Sequence, residues 1–307
     1  MADRQQGSRR YWLNLAWFAL AALLGGALAL VVGLSAWWAH NYTHPVRHPI
    51  EHTPSDYGLA YESVAFSSTD GLSLAGWFIL PQGKSANGGA IVLCHGYGAT
   101  RATLLPVAGV LARHGYHVLA FDFRGHGESG GELVTLGYDE VKDVQGAVAY
   151  LRARLEVAPD RIGVLGQSMG AATAIRATAQ TPEIGAVVAE SAYASLVDLV
   201  ANDFSTLTGL PRFPFAPLMT ALGEWQTGLD MDLVRPVDDI SQISPRPVFI
   251  IHGLGDTVIR PESGVRLYEA AREPKWLWQP EGIGHVTAVY KEPTEFEARV
   301  ISFFDQA

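Results

Sequence analysis

The sequence predicts an α/β fold: a doubly wound, mostly parallel sheet with a short cap, preceded by one transmembrane helix. Three observations carry that reading. Short apolar runs alternate with stretches of helical periodicity from about residue 60 to about residue 305. Gly166-Gln167-Ser168-Met169-Gly170 lies between one such run and a helical stretch. Tyr11 to Ala39 carries no charged residue across 29 positions.

The uncharged segment comes first in the chain. About 20 apolar residues cross the hydrocarbon layer, so residues 11–39 are long enough. Trp12 and Trp17 lie near one end and Trp37 and Trp38 at the other, as interfacial aromatic belts do. Arg4, Arg9 and Arg10 precede it, and only Arg47 lies close on the far side. The positive-inside rule then puts residues 1–10 in the cytoplasm and the rest of the chain after the helix on the extracytoplasmic side. A cleaved signal peptide is the rival. Its apolar core runs about 7–15 residues before a small-x-small site. This core is longer, and Ser35-Ala36-Trp37-Trp38-Ala39 is a poor cleavage sequence, so an uncleaved anchor is favoured.

Residues 40–58 read as a linker. His40, His44, His48 and His52 recur every fourth residue. On a helix that spacing would make a stripe fit for a metal. Pro45 and Pro49 break helical hydrogen bonding, and each follows a histidine that proline biases away from the α region. The expectation is an extended connection with no metal.

Residues 59–307 form the expected α/β domain. Val64 and Phe66, then Leu72, Leu74 and Phe78, alternate around Thr69-Asp70-Gly71, which signals a hairpin. Ala90–Cys94, His117–Asp122, Arg161–Leu165, Ala186–Ala189, Pro247–Ile251 and Lys275–Pro280 read as buried strands. Val141, Val144, Val148 and Leu151 mark a helix face; Gly264–Arg272 and Thr294–Phe304 read as the last two helices. Residues 196–246 have weaker order and hold Phe204, Leu207, Leu210, Phe213, Phe215, Leu218 and Trp225. They either pack on the core or form an apolar lid over an acyl pocket.

Ser168 stands on a tight strand-to-helix turn. Such a turn holds the hydroxyl away from the sheet, and the flanking glycines let neighbouring backbone come close. Gly127-Glu128-Ser129-Gly130-Gly131 fits the same G-x-S-x-G pattern but has no helical run after it. A serine hydroxyl needs a base, and a base needs a partner that fixes its tautomer. His285 follows the strand at Lys275, and Asp256 follows the strand at Pro247, in the chain order Ser, Asp, His. Asp198 and Asp203 are rival acids after the preceding strand. The oxyanion of an acyl-transfer intermediate needs two pre-aimed N–H groups. Met169, after the nucleophile, and Tyr97, in the loop after Cys94, are the expected donors. His95, Arg124 and His126 read as structural, and Cys94 as a core residue.

These stretches together resemble bacterial α/β-hydrolases of the broad group holding serine aminopeptidase-like and monoacylglycerol lipase-like enzymes. The matching segments are Leu93–Gly98, Phe121–Ser129, Gly166–Gly170, His252–Asp256 and Gly284-His285. The resemblance implies the α/β-hydrolase fold, a serine hydrolase with Ser168, His285 and Asp256 as triad, and Tyr97 with Met169 as oxyanion donors. Carboxylic esters are the expected substrates, small or lipid-like, with no cofactor. An aminopeptidase-like serine peptidase and a catalytically silent binding protein are the alternatives.

Composition fits an enzyme with one added apolar element: 307 residues, 48% hydrophobic, 17% charged. A net charge of −9 argues against nucleic-acid binding through a basic surface. Cys94 is the single cysteine, so no internal disulfide can form.

Overall fold

A computed structural model describes residues 2–82 and 88–307, with side chains described from Arg10 onward. Apolar runs too short for helices become strands: β1 (Tyr61–Ser67), β2 (Ser73–Ile79), β3 (Ala90–Cys94), β4 (His117–Phe121), β5 (Ile162–Gln167), β6 (Ala186–Glu190), β7 (Val248–Ile251) and β8 (Lys275–Trp278). The helices are α1 (Ala2–Thr43), α2 (Leu105–Arg113), α3 (Glu140–Arg152), α4 (Met169–Gln180), α5 (Leu196–Thr208), α6 (Arg212–Thr227), α7 (Pro236–Asp239), α8 (Glu262–Ala270), α9 (Ala288–Lys291) and α10 (Pro293–Gln306).

The strands make one sheet in the spatial order β1-β2-β4-β3-β5-β6-β7-β8. β1 and β2 are an antiparallel hairpin, and β2 joins β4 antiparallel. From β4 to β8 every pairing is parallel. Successive side chains of a strand face opposite sides. In β3, Ala90, Val92 and Cys94 therefore join one core layer and Ile91 and Leu93 the other. Val144 and Leu151 of α3 with Ile175 of α4 cover the first face. Leu111 of α2 with Phe296 and Val300 of α10 cover the second. The strand order reverses at β3, and in such sheets ligands bind beyond the carboxyl ends of the strands near that point.

α1 differs from the expectation at its far end. It continues four residues past Ala39, to Thr43. Polar His40 and Asn41 end the apolar run without ending the helix; Pro45 ends it, by biasing His44 out of the α region. The connection after it is not free of the domain. Arg47 donates to the carbonyls of His126, Gly127, Ser129 and Gly131. From Arg10 to Thr43 the helix is long and apolar enough to cross a membrane. Arg4 and Arg9, on which the expected orientation rests, have side chains outside the described set.

The region 196–246 is more regular than its sequence indicates. α5 forms as a regular helix, and although Pro211, Pro214 and Pro217 obscure the helical period after it, α6 forms too, with a kink at Phe213. Its apolar residues differ in exposure: Phe204 is buried, whereas Phe213 and Trp225 are 81% and 80% exposed.

Candidate active site

Ser168 joins β5 to α4 with φ 57° and ψ −121°, a left-handed conformation that costs a non-glycine residue energy. The turn is held from both sides. Ser168 N–H donates to Glu190 O on β6 at 2.9 Å, and Ser168 O accepts from Ala171 and Ala172 N–H. Gly166 and Gly170 are dictated by contact. A Cβ at Gly166 would sit 2.2 Å from Gly170 O, and one at Gly170 would sit 2.2 Å from Cys94 O. Gly170→Ala must push α4 away from β3, backbone against backbone. We expect it to destabilise the chain by about 3 kcal/mol or more, a fall of roughly 6–12 °C in Tm for a domain of this size. Thermal unfolding in detergent micelles checks this; an unchanged Tm would contradict the packing described.

His285 Nε2 lies 2.9 Å from Ser168 Oγ, and His285 Nδ1 lies 2.8 Å from Asp256 Oδ2. Asp256 Oδ1 accepts from Val258 and Ile259 N–H. Burial alone would raise the pKa of Asp256. Hydrogen bonding to His252 and His285 and to Ile259 N–H outweighs it and holds the carboxyl well below the usual carboxylate range. A carboxylate so held keeps Nδ1 of His285 as the protonated nitrogen and leaves Nε2 to accept from Ser168.

The rival residues lie elsewhere. Asp198 pairs with Arg266 and Asp203 with Arg260. Ser129 is buried, donates to Asp122 O and accepts from Ala75 N–H, so it ties a loop to the sheet. Arg124 is spent on Asp143 and Asp70. His95 accepts from Phe123 N–H, and burial, reinforced by His126, lowers its pKa to about 3. His126 accepts from Gly98 N–H at 3.1 Å, and burial lowers its pKa too. Two neutral histidines thus brace the loop that carries Tyr97. His40, in the last turn of α1, stacks on His44 just past its end, and His48 and His52 lie further along the chain. Among the described residues no group of three or more His, Cys, Asp or Glu could hold a metal.

Tyr97 and Met169 both line the space above Ser168. Met169 opens α4, where helix geometry leaves N–H groups without an intrahelical acceptor. Tyr97 follows Gly96, whose missing side chain lets that loop close over Ser168; a Cβ there would sit 3.3 Å from Ser168 Cβ.

Three contributors escape the sequence reading. Glu190, buried at the end of β6, accepts from Gln167 Nε2 at 2.8 Å and from Ala288 N–H at 3.1 Å, so it clamps the segment after His285. Burial raises its pKa. Ser191 Oγ accepts from Val286 N–H. A charge or hydroxyl at a strand end reads as surface in a sequence, which hides both. The third contributor is the end of α1. A cavity of about 480 Å³ above Ser168 is lined by Leu196, Phe204 and Leu207 of the cap and also by Trp38, Asn41 and Tyr42.

Comparison with known proteins bears on the fold and the family. The sequence profile of the serine aminopeptidase S33 family of hydrolases matches residues 85–223. The YfhR protein of Salmonella typhi is 31% identical over 241 residues, 74% of this chain and 75% of YfhR. The YqkD protein of Bacillus subtilis is 29% identical over 248 residues, 80% of each chain. The solved esterase Pf2001 of Pyrococcus furiosus superposes with a TM-score of 0.72 at 30% identity, over 86% of this chain and 98% of the esterase. Fold and relatives define a hydrolase of the α/β type. The chain belongs to the α/β-hydrolase superfamily.

Proposed function

We propose that this chain is a membrane-anchored serine hydrolase that cleaves carboxylic esters. The observation that carries the reading is the hydrogen-bonded line Ser168–His285–Asp256 at the floor of an apolar cavity. Ser168 Oγ bonds to the ester carbonyl carbon while His285 Nε2 takes the hydroxyl proton. The carbonyl becomes an oxyanion facing the Tyr97 and Met169 N–H groups at the positive end of α4. The oxyanion collapses, the ester C–O bond breaks, and His285 returns its proton to the departing alcohol. Water, deprotonated by His285, then attacks the acyl-serine and releases the acid and free Ser168.

The match to the serine aminopeptidase family favours a second reading, an exopeptidase. Such a site needs a carboxylate to hold the substrate amine. None of the described residues lining the cavity is acidic, so the apolar ester reading stands ahead. The long apolar helix α1 supports anchoring, and the Arg4, Arg9 and Arg10 cluster supports a cytoplasmic N-terminus with the catalytic domain outside. The apolar cap favours medium-chain or lipid-like acyl groups.

The test compares aryl esters of rising chain length with aminoacyl arylamides, using the full chain in detergent micelles. Ester turnover is expected to exceed arylamide turnover by about a hundredfold or more, because the site lacks an amine partner. Faster arylamide cleavage would transfer the assignment to the peptidase. A steep fall from acetyl to longer esters would remove the lipid-like preference.

A further inference from the structure

The ester chemistry leaves one feature unused: the far end of the membrane-crossing helix is built into the site. Trp38, Ala39, Asn41, Tyr42 and Thr43 line the cavity above Ser168. Their fixings reach several parts of the domain. Tyr97, on the loop after β3, donates its hydroxyl to Asn41 O at 2.7 Å and stacks on Tyr42. Tyr42 donates to Leu207 O on α5 at 3.1 Å. Thr43 Oγ1 lies 3.2 Å from Gln226 Oε1 on α6, and Val134 N–H donates to Thr43 O. A flexible tether would make none of these contacts.

The same side of α1 runs back along α6. Ser35, Ala39 and Thr43 are all buried and four residues apart, so they share one face. Small side chains let the two helices come close. One to two turns further back, Ala27, Leu28 and Val31 face Pro214, Pro217 and Ala221 of α6 across a groove of about 510 Å³, lined by apolar residues alone. Val31 and Trp38 are seven residues apart, about 10 Å of helix rise. The groove therefore lies beside the uncharged part of α1, with the catalytic cavity further along the helix toward Thr43.

We propose that α1 and α6 form a lipid-side entrance, through which the acyl chain of a bilayer-resident ester reaches Ser168. The occupant is an acyl chain because the groove is apolar throughout and opens on the membrane-crossing segment. Exposed Phe213 and Trp225 give α6 the same preference for an apolar environment. On this view the anchor is part of the substrate site as well as a means of attachment. The inference rests on the ester reading and narrows its substrate to esters with long acyl chains.

The full chain in phosphatidylcholine nanodiscs tests it with two substrates, water-soluble p-nitrophenyl acetate and bilayer-dissolved p-nitrophenyl palmitate. Ala27→Trp and Ala221→Trp fill the groove from its two walls; both positions are exposed, so the added ring needs no core repacking. Ala29→Trp adds the same ring two residues along α1, on the far side of the helix. Labelling of Ser168 by a fluorophosphonate shows that each variant retains its site. The palmitate-to-acetate turnover ratio is expected to fall at least about tenfold in Ala27→Trp and Ala221→Trp and to stay within about twofold in Ala29→Trp. Equal ratios in all four proteins, or an equal fall in Ala29→Trp, would overturn the entrance while acetate turnover upholds the ester reading. A folded wild-type chain that hydrolyses neither ester and takes no label would overturn the ester reading, and the entrance with it.

Discussion

Ser168→Ala is expected to lower aryl-ester turnover by roughly 10³- to 10⁶-fold while leaving the fold intact. The range follows from what survives. The Tyr97 and Met169 N–H groups and the apolar cavity still bind and polarise an ester, but no atom remains to form the acyl intermediate. His285 can then only activate water for direct attack on the ester. The substitution is structurally mild. Ser168 Oγ bonds His285 alone, and the backbone bonds that fix the turn, from Ser168 N–H to Glu190 O and from Ala171 N–H to Ser168 O, do not involve the hydroxyl. A fluorophosphonate should label the wild-type chain at Ser168 and leave Ser168→Ala unmodified, with the site read by peptide mass analysis. Ester turnover within tenfold of wild type in that variant, or labelling at Ser129, would sink the assignment.

The sequence made the sheet and the elbow legible because both rest on local chemistry. Ala90–Cys94 is apolar at every position, as a strand covered on both faces must be. Gly166 and Gly170 are fixed by backbone approaches of 2.2 Å, a demand that leaves its mark in the motif itself. Asp256 and His285 were legible as loop residues after strands, but spacing alone could not separate Asp256 from Asp198 or Asp203. That choice depends on contacts with Arg266 and Arg260 that are distant in sequence. Glu190 was hidden because its strand reading stopped at Ala189. α6 was hidden because Pro211, Pro214 and Pro217 interrupt the apolar period at its start. The end of α1 was the hardest to read. Tyr42 meets Leu207 across 165 residues and Asn41 meets Tyr97 across 56, and no local pattern announces either contact. The apolar N-terminal segment and the α/β domain look like separate modules in the sequence, whereas the fold joins them at the cavity.

Asp256→Asn is expected to reduce turnover by about 10⁴-fold, and to do so through the tautomer of His285 more than through lost charge. The bonding around the carboxylate decides the outcome. Asp256 Oδ1 accepts from Val258 and Ile259 N–H, and Oδ2 faces His285 Nδ1. An asparagine must keep its carbonyl oxygen on the two backbone donors, since turning the amide round would set N–H against N–H twice. Its NH₂ group therefore points at His285 Nδ1 as a donor. The neutral imidazole answers by carrying its proton on Nε2, where it faces Ser168 Oγ and cannot accept the hydroxyl proton. Asp256→Ala imposes no such choice. It removes the orienting bond but leaves His285 free to place its proton on either nitrogen, so it should retain at least as much activity as Asp256→Asn. Turnover and the rate of fluorophosphonate labelling, measured on both variants with circular dichroism as the control for folding, give the ranking. Asparagine substantially more active than alanine, or an asparagine variant within tenfold of wild type, would mean that Asp256 does not set the histidine tautomer. The orienting role would then have to lie elsewhere in the cluster.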